Sequence, residues 1–268
     1  LSLLLYYKAY YDTYYYVKTP KVVCCIAKSD FLVSFQDTVG KVFNADFAAM
    51  HWEENPDFGG YYVYCTKKAF EDEVFYGCGD KASSLNLRGK RITNWNSDTY
   101  SYAFNQDPLY KSIPFYLGVT GGDAYGIFFD NTFRTFFDFA GEHHDQTSFW
   151  SEGGELQYYY IHGPQLLDVI KRYHQLTGTH FLPPLWAIGY HQCRWSYYPE
   201  RKVRDIAQEF RKREIPCDAL YLDIDYMDGY RCFTWNKKYF PDPKQMVADL
   251  SANGFQTVVM IDPGIKVD

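Results

Sequence analysis

The stretch LYLDIDYMDG, residues 220–229, places three carboxylates directly behind a short apolar run. The run is nearly continuous rather than alternating, which is typical of a parallel strand covered on both faces by helices. In α/β folds the carboxyl ends of such strands form the edge where binding sites are built. The stretch therefore predicts a buried strand that delivers Asp223 and Asp225 to a functional edge.

The pattern on both sides of this strand predicts a βαβαβ unit over residues 184–268. LWAIGYHQ (185–192) and FQTVVMIDP (255–263) are interpreted as the neighbouring strands. Helices are predicted at 199–214, which begins at a proline, and at 243–253, which follows an aspartate cap. The third strand is the last element, and an open strand end would expose an unpaired edge. We therefore expect a fragment of a larger α/β domain rather than a complete three-stranded one.

Residues 1–163 predict an all-β domain, most simply a sandwich. Short runs rich in aromatic and β-branched residues are separated by turn signals such as NPDFGG, TGGD and SEGG. The segment IFFD-NT-FRTFFDF (127–139) predicts a hairpin with a short polar turn. Between the two halves, residues 164–183 predict a linker helix and its connection, with apolar residues at helical spacing and Gly178 at the end.

Composition narrows the classes of partner and site. A net charge of -6 lacks the basic footprint of a nucleic-acid-binding protein, and no apolar run approaches a membrane span of about 20 residues. None of the seven cysteines forms a C-x-x-C pair, and His143-His144 beside Asp145 lacks further metal-ligand spacing. We expect buried, unpaired cysteines and no metal or cofactor site. Tyrosine suits both strand packing and sugar binding, and strand packing accounts for most of the 27 tyrosines.

Asp223 and Asp225 have the spacing of a glycosidase carboxylate pair but not the expected geometry. On one strand, side chains at i and i+2 lie about 6.6 Å apart on the same face. A glycosidase pair must approach the scissile bond from opposite sides, so this pair is not predicted to be acid and nucleophile. Asp223 is interpreted as a ligand for sugar hydroxyls. Asp225 is interpreted as a supporting residue, and a salt bridge to Arg194 is one alternative.

The sequence allows two roles for each of two loop residues, Trp195 and Asp107. Trp195, in HQCRWSYYP, is either a pocket wall or part of the aromatic packing under a loop, and Tyr197 carries the same ambiguity. Asp107, in FNQDPLY, is either a ligand-binding residue or the start of an Asx-type turn.

Several ordered segments together resemble glycoside hydrolase family 31, specifically its α-glucosidases. They lie between about residue 60 and the C-terminus: FYGCGDKASSLNLRGKRITNWNSD (75–98), DPLYKSIPFYLG (107–118), GIFFDNTFRTFFDF (126–139), GGELQYYYIHGP (153–164), LPPLWAIGYHQCRWSYYPE (182–200), LYLDIDYMDGYRCFTWN (220–236), FPDP (240–243) and VVMIDPGIK (258–266). The resemblance implies an N-terminal β-sandwich followed by a (β/α)8 TIM barrel, of which residues 184–268 form the start.

The resemblance also implies an activity and a set of site residues. It implies retaining hydrolysis of terminal α-linked glucose from maltose-like oligosaccharides, without a cofactor. It assigns the substrate-binding positions to Asp107, Trp195, Asp223, Ile224 and Ile265. It places both catalytic carboxylates on barrel strands downstream of Asp268, so this chain alone is expected to be inactive.

The sequence is compatible with three interpretations of the fragment. It is the N-terminal part of an α-glucosidase or of another family 31 enzyme, such as an α-glucan lyase or a transglucosylase. It is a non-catalytic carbohydrate-binding protein. Or its barrel is completed by a second chain after proteolytic nicking. The sequence gives no indication of the cellular compartment.

Overall fold

A computed structural model describes residues 7–10 and 13–262, and the chain divides into two compact units, residues 1–179 and 180–268. The domain boundaries predicted from the sequence lie between residues 163 and 164 and between residues 183 and 184. They remain predictions. In the part of the chain that the structure describes, no helix is long and apolar enough to cross a membrane.

The first unit is made of antiparallel strands arranged in three sheets. Strands β1 to β5 are Tyr7–Tyr10, Tyr14–Lys18, Val23–Ala27, Val33–Gln36 and Val42–Ala45. Strands β6 to β14 are His51–Glu54, Tyr61–Lys68, Val74–Gly79, Arg91–Asn94, Ser112–Thr120, Asp123–Phe129, Thr135–Phe139, Gln146–Ser151 and Tyr158–His162. The sheet orders are β1-β2-β3-β4-β5, β6-β7-β13-β12-β9 and β14-β11-β10-β8.

Two of these sheets enclose one hydrophobic core, which confirms the predicted β-sandwich. Phe75 and Ile127 come from the four-stranded sheet, and Phe137 and Phe149 come from the facing five-stranded sheet. Each of the four side chains is at most 1% exposed. Alternation along each strand directs every second residue into this shared interior, as expected for two packed sheets.

The predicted hairpin over residues 127–139 is wrong. Strand β11 pairs with β10 and β14, whereas β12 pairs with β9 and β13, so the connection between them crosses from one sheet to the other. The Asn131 side-chain amide holds this crossing by donating to Ser151 Oγ at 3.0 Å and to the Gly153 carbonyl at 2.8 Å. Both strands still bury aromatic side chains in the same core, which is why their sequence pattern also fits a hairpin.

The helix predicted between the two halves is present as α1, Leu166–Thr177, which ends at Gly178 with a positive φ of 90°, while its role as a linker stays a prediction. Its Val169 side chain is fully buried in a cluster with Phe115 and Ile161. Because β10, β11 and β14 belong to one sheet, α1 covers the outer face of that sheet and lies within the first unit.

A buried carboxyl in the sandwich predicts a pH-dependent stability. Glu73 is 1% exposed, and burial raises its pKa from 4.5 to about 7, although Tyr125 donates to it at 2.6 Å. The stabilisation of the neutral form is complete below pH 4.5 and is lost as pH rises through about 7. We expect the free energy of unfolding to fall by up to about 3 kcal/mol across this window.

Thermal unfolding between pH 4 and 8 measures this effect, with Glu73→Gln as the comparison. The glutamine is neutral at every pH and can still accept from Tyr125, so its melting temperature should lose the Glu73-dependent decline. Parallel pH profiles for the two proteins would contradict the assignment.

The second unit is a small parallel sheet with helices between its strands. Its strands are β15, β16 and β17 at His191–Gln192, Ala219–Leu222 and Gln256–Val259, and its helices are α2 and α3 at Glu200–Lys212 and Pro243–Ala252. Both strand pairs are parallel, and β16 lies in the middle. Leu220 and Leu222 are each 1% exposed and pack in a cluster with residues of both helices. The βαβαβ prediction is therefore confirmed.

The helix boundaries agree with their sequence signals, whereas the first strand is shorter than predicted. Asp242 Oδ1 accepts from Gln245 N at 3.0 Å as the N-cap of α3. The first half of the predicted strand 185–192 is instead a 3₁₀ turn, Leu185–Ile188, and only His191–Gln192 pairs with β16. The apolar run follows two prolines, which cannot donate ladder hydrogen bonds, and Leu185 remains 83% exposed.

Candidate substrate-binding site

Asp223 lies immediately after the central strand, where the sequence predicts a functional edge. Strand β16 ends at Leu222, and Asp223 caps the 3₁₀ turn Ile224–Tyr226. Its Oδ1 accepts from Ile224 N at 2.8 Å. Oδ2 accepts no hydrogen bond from residues 7–10 or 13–262. This half-buried carboxylate is thus oriented by one oxygen and leaves the other available for a ligand.

Asp225 differs from Asp223 because its carboxylate is occupied within the protein. Oδ2 accepts from Trp195 Nε1 at 3.1 Å and from Ser196 Oγ at 2.5 Å. Oδ1 receives a long contact of 3.4 Å from the Tyr230 hydroxyl. The indole and the serine hydroxyl, rather than Arg194, are therefore the partners of this carboxylate.

The two carboxylates do not share one strand face, contrary to the sequence argument. The strand ends before Asp223, and Asp225 lies inside the 3₁₀ turn, so strand alternation does not set their directions. An acid–nucleophile pair is disfavoured for another reason, because the Asp225 carboxylate already accepts hydrogen bonds from side chains of the protein. The pair is one free carboxylate and one internal anchor.

Trp195 and Tyr197 have different environments in the structure. Trp195 is 74% exposed, yet its indole nitrogen is tied to Asp225. Tyr197 is 7% exposed and packs in the core of the second unit, where its hydroxyl accepts from Gln192 Nε2 at 2.7 Å. Ile224 is half-buried at the start of the turn, and the predicted wall residue Ile265 lies outside the described residues.

Asp107, in the first unit, is engaged inside its own domain. Its carboxylate accepts from Lys81 Nζ at 2.7 Å and from Thr93 N, and the Lys81 side chain is 5% exposed. Through these two contacts, Asp107 holds the connection between β9 and β10 in place. Asp98, in the same connection, is exposed and accepts no hydrogen bond from the residues that the structure describes. The ligand role of Asp107 stays a prediction, and Asp98 is the carboxylate of this connection that is free to bind.

Neither a metal nor a nucleophile is indicated by the polar groups around β15 and β16. Burial raises the pKa of Cys193, and the Asp223 carboxylate raises it further, so the thiol stays protonated. Both His191 ring nitrogens have partners, the Tyr221 hydroxyl at 3.1 Å and the Trp186 carbonyl at 2.9 Å. The described residues contain no cluster of His, Cys, Asp and Glu that could hold a metal ion, and the cysteines are unpaired.

Comparison with known proteins assigns both units. Residues 7–138 match the Glycosyl hydrolase 31 N-terminal galactose mutarotase-like domain, and residues 180–268 match the Glycosyl hydrolases family 31 TIM-barrel domain. The chain belongs to glycoside hydrolase family 31. The observed fold is the N-terminal domain of that family followed by the start of its catalytic barrel, as the motifs predict.

The similar proteins include two alpha-glucosidases and a family 31 dextranase. Alpha-glucosidase 2 of Bacillus thermoamyloliquefaciens is 48% identical over 207 residues, which is 77% of this chain and 26% of that protein. An alpha-glucosidase of Saccharolobus solfataricus is 38% identical over 196 residues, which is 73% of this chain and 28% of that protein. A family 31 dextranase of Flavobacterium johnsoniae, solved with isomaltotriose, has a TM-score of 0.85 at 38% identity and covers 95% of this chain and 30% of its own.

This chain therefore spans between a quarter and a third of the length of these three proteins. It corresponds to the part of family 31 that carries the first barrel strands.

Proposed function

We propose that this chain is the N-terminal part of a retaining, exo-acting α-glucosidase. The observation that carries the proposal is the carboxylate of Asp223 at the carboxyl end of the central barrel strand, where Oδ2 accepts no hydrogen bond from any residue that the structure describes. The exposed ring of Trp195 is anchored two residues further along, at Asp225. The alpha-glucosidase relatives support the reaction class.

The proposed pocket combines a directional and an apolar contact. Asp223 Oδ2 accepts hydrogen bonds from hydroxyls of the terminal glucose, a charge-assisted interaction. Trp195 offers a flat apolar surface to the C–H face of the sugar ring. Ile224 and Ile265 are proposed as apolar walls. Asp107 is kept as a proposed substrate-binding residue, and within the first unit its carboxylate also anchors the β9–β10 connection.

The catalytic carboxylates are proposed to come from barrel strands that follow residue 268. In a retaining glycosidase one carboxylate attacks the anomeric carbon and forms a covalent glycosyl–enzyme. The second protonates the leaving oxygen and then activates water, with the two groups about 5–5.5 Å apart. Asp223 and Asp225 take neither role, because one holds the substrate and the other is held by Trp195 and Ser196.

The isolated chain of 268 residues is expected to be inactive. Purified alone, it should release no nitrophenol from an aryl α-glucoside, whereas the complete protein should do so. Hydrolysis by the isolated chain, at a rate that survives repurification, would contradict the placement of the catalytic pair downstream.

A denaturing gel of the complete, natively purified protein separates the one-chain and two-chain forms of the proposal. One band of the length of the relatives supports a continuous barrel. A band of about this chain's 31.5 kDa together with a larger one supports a nicked barrel completed by a second fragment.

A further inference from the structure

In the second unit, three side-chain hydrogen-bond donors surround the carboxylate of Asp225. Trp195 Nε1 and Ser196 Oγ both donate to Oδ2, and Tyr230 OH lies 3.4 Å from Oδ1. Trp195 and Ser196 follow β15, whereas Asp225 follows β16. The carboxylate therefore fastens the loop after one parallel strand to the turn after the next.

The indole of Trp195 is unusual because it is exposed and fixed at the same time. A side chain that is 74% exposed has little packing to select its rotamer. Indole has a single hydrogen-bond donor, and here that donor is used on a carboxylate, the stronger kind of acceptor. The hydrogen bond, rather than packing, sets the direction of the ring.

Asp225 itself is held in a fixed place. It lies in the 3₁₀ turn that Asp223 caps, and the next residue, Tyr226, is 3% exposed and donates to the Met260 carbonyl at 2.9 Å. The turn thus connects the substrate carboxylate, the anchor carboxylate and the buried core within four residues, 223–226. Removal of the Asp225 carboxylate would release Trp195 and Ser196, whereas the Asp223 carboxylate would keep its own hydrogen bond from Ile224 N.

We propose that Asp225 is a positioning residue that presets the Trp195 ring as the flat wall of the sugar pocket. The proposal rests on the proposed function only for the identity of the ligand, since the orientation of the ring is a property of the free protein. Asp225 makes no contact with the sugar. Its effect on ligand affinity passes through Trp195, so preorganisation of the ring lowers the entropy lost on binding.

The orientation of the ring is tested first, without any ligand. Acrylamide quenching and fluorescence anisotropy of the chain are compared with those of Trp195→Phe, and the difference isolates the signal of Trp195. Asp225→Ala should increase the quenching and lower the anisotropy of that difference signal. Asp225→Asn, which keeps an acceptor oxygen, should restore much of both values. Unchanged signals in Asp225→Ala would overturn the proposal.

A matched control lies in the same segment. Asp228 is exposed and contacts only the nearby Arg231 side chain among the described partners of its carboxylate. Asp228→Ala should leave the Trp195 signal at its original value. Equal changes in the Asp225 and Asp228 variants would assign the effect to general loosening of the turn and would overturn the positioning role.

A double-mutant cycle then tests how the effect reaches the ligand, with the KM of the complete protein for maltose as the measure of binding. Asp225→Ala and Trp195→Phe should each weaken binding by about tenfold, the scale of one lost hydrogen bond or contact. Because both act through one ring, the double variant should be no weaker than the worse single variant. Additive losses would overturn the proposal. Loss of Trp195 order without any change in maltose affinity would instead retain the positioning role and reject the α-glucosidase pocket.

Discussion

Asp223→Asn in the complete protein is expected to lower kcat/KM for maltose by about 100-fold or more. The change keeps the shape and the Ile224 contact but removes the charge from the oxygen that faces the ligand. Hydrogen bonds to a charged group contribute about 1.5–3 kcal/mol each, and tenfold in affinity corresponds to about 1.4 kcal/mol. Two sugar hydroxyls on one carboxylate therefore give a loss of this size. Steady-state hydrolysis of maltose measures it.

The control for this variant is Asp228→Asn, five residues away on the same connection. Its carboxylate is exposed and pairs with Arg231, so its removal should change kcat/KM by less than about twofold. An unchanged melting temperature in both variants would show that the loss is not caused by unfolding. Full activity of Asp223→Asn would contradict the assignment of this carboxylate to the sugar.

Asp46→Asn is expected to destabilise the first unit by about 3–5 kcal/mol, the scale for breaking one side of a buried ion pair. Lys67 Nζ lies 2.6 Å from Asp46 Oδ1, and both side chains are fully buried. Burial disfavours the ammonium, but the neighbouring Cys65, Tyr158 and Asp46 side chains raise the pKa of Lys67 above its usual value, and Asp46 is the hydrogen-bonded carboxylate among them. Neutralising Asp46 leaves that charge without its partner. Urea denaturation of the purified chain measures the loss.

Two further variants define the cause of this loss. Asp123→Asn removes the partner of Lys41 in a solvent-exposed pair and should change stability by less than about 1 kcal/mol. Adding Lys67→Met to Asp46→Asn removes the stranded charge and should recover part of the stability. A double variant less stable than Asp46→Asn alone would contradict the electrostatic explanation.

The parts of the fold that follow from local chemistry could be predicted from the sequence. The apolar runs, the helix spacing of α1 and α2 and the Asp242 cap each reflect interactions within a few residues. The pairing of β11 and β12 could not be predicted. Both strands bury phenylalanines in one core, and only long-range pairing decides that they belong to opposite sheets.

In the candidate site, too, local features could be predicted from the sequence and long-range contacts could not. The position of Asp223 follows from the apolar run before it, which is a local signal. The anchoring of Trp195 by Asp225 joins residues 30 positions apart, and Ser196 and Tyr230 gave no signal in the sequence because hydroxyl donors carry no periodicity. The internal use of Asp107 likewise depends on Lys81, from another segment. Spacing identifies which groups reach an edge, and the tertiary structure decides which of them remain free.

The anomeric form of the first glucose released tests the proposed function most directly. Proton NMR during the first minutes of hydrolysis of an aryl α-glucoside, which releases a single glucose, should show α-glucose appearing first, with β-glucose following by mutarotation, as double displacement by the complete protein requires. Initial release of β-glucose would contradict retention. A dehydrated sugar in place of glucose would assign the reaction to elimination, and the absence of any product would leave a carbohydrate-binding protein instead of an α-glucosidase.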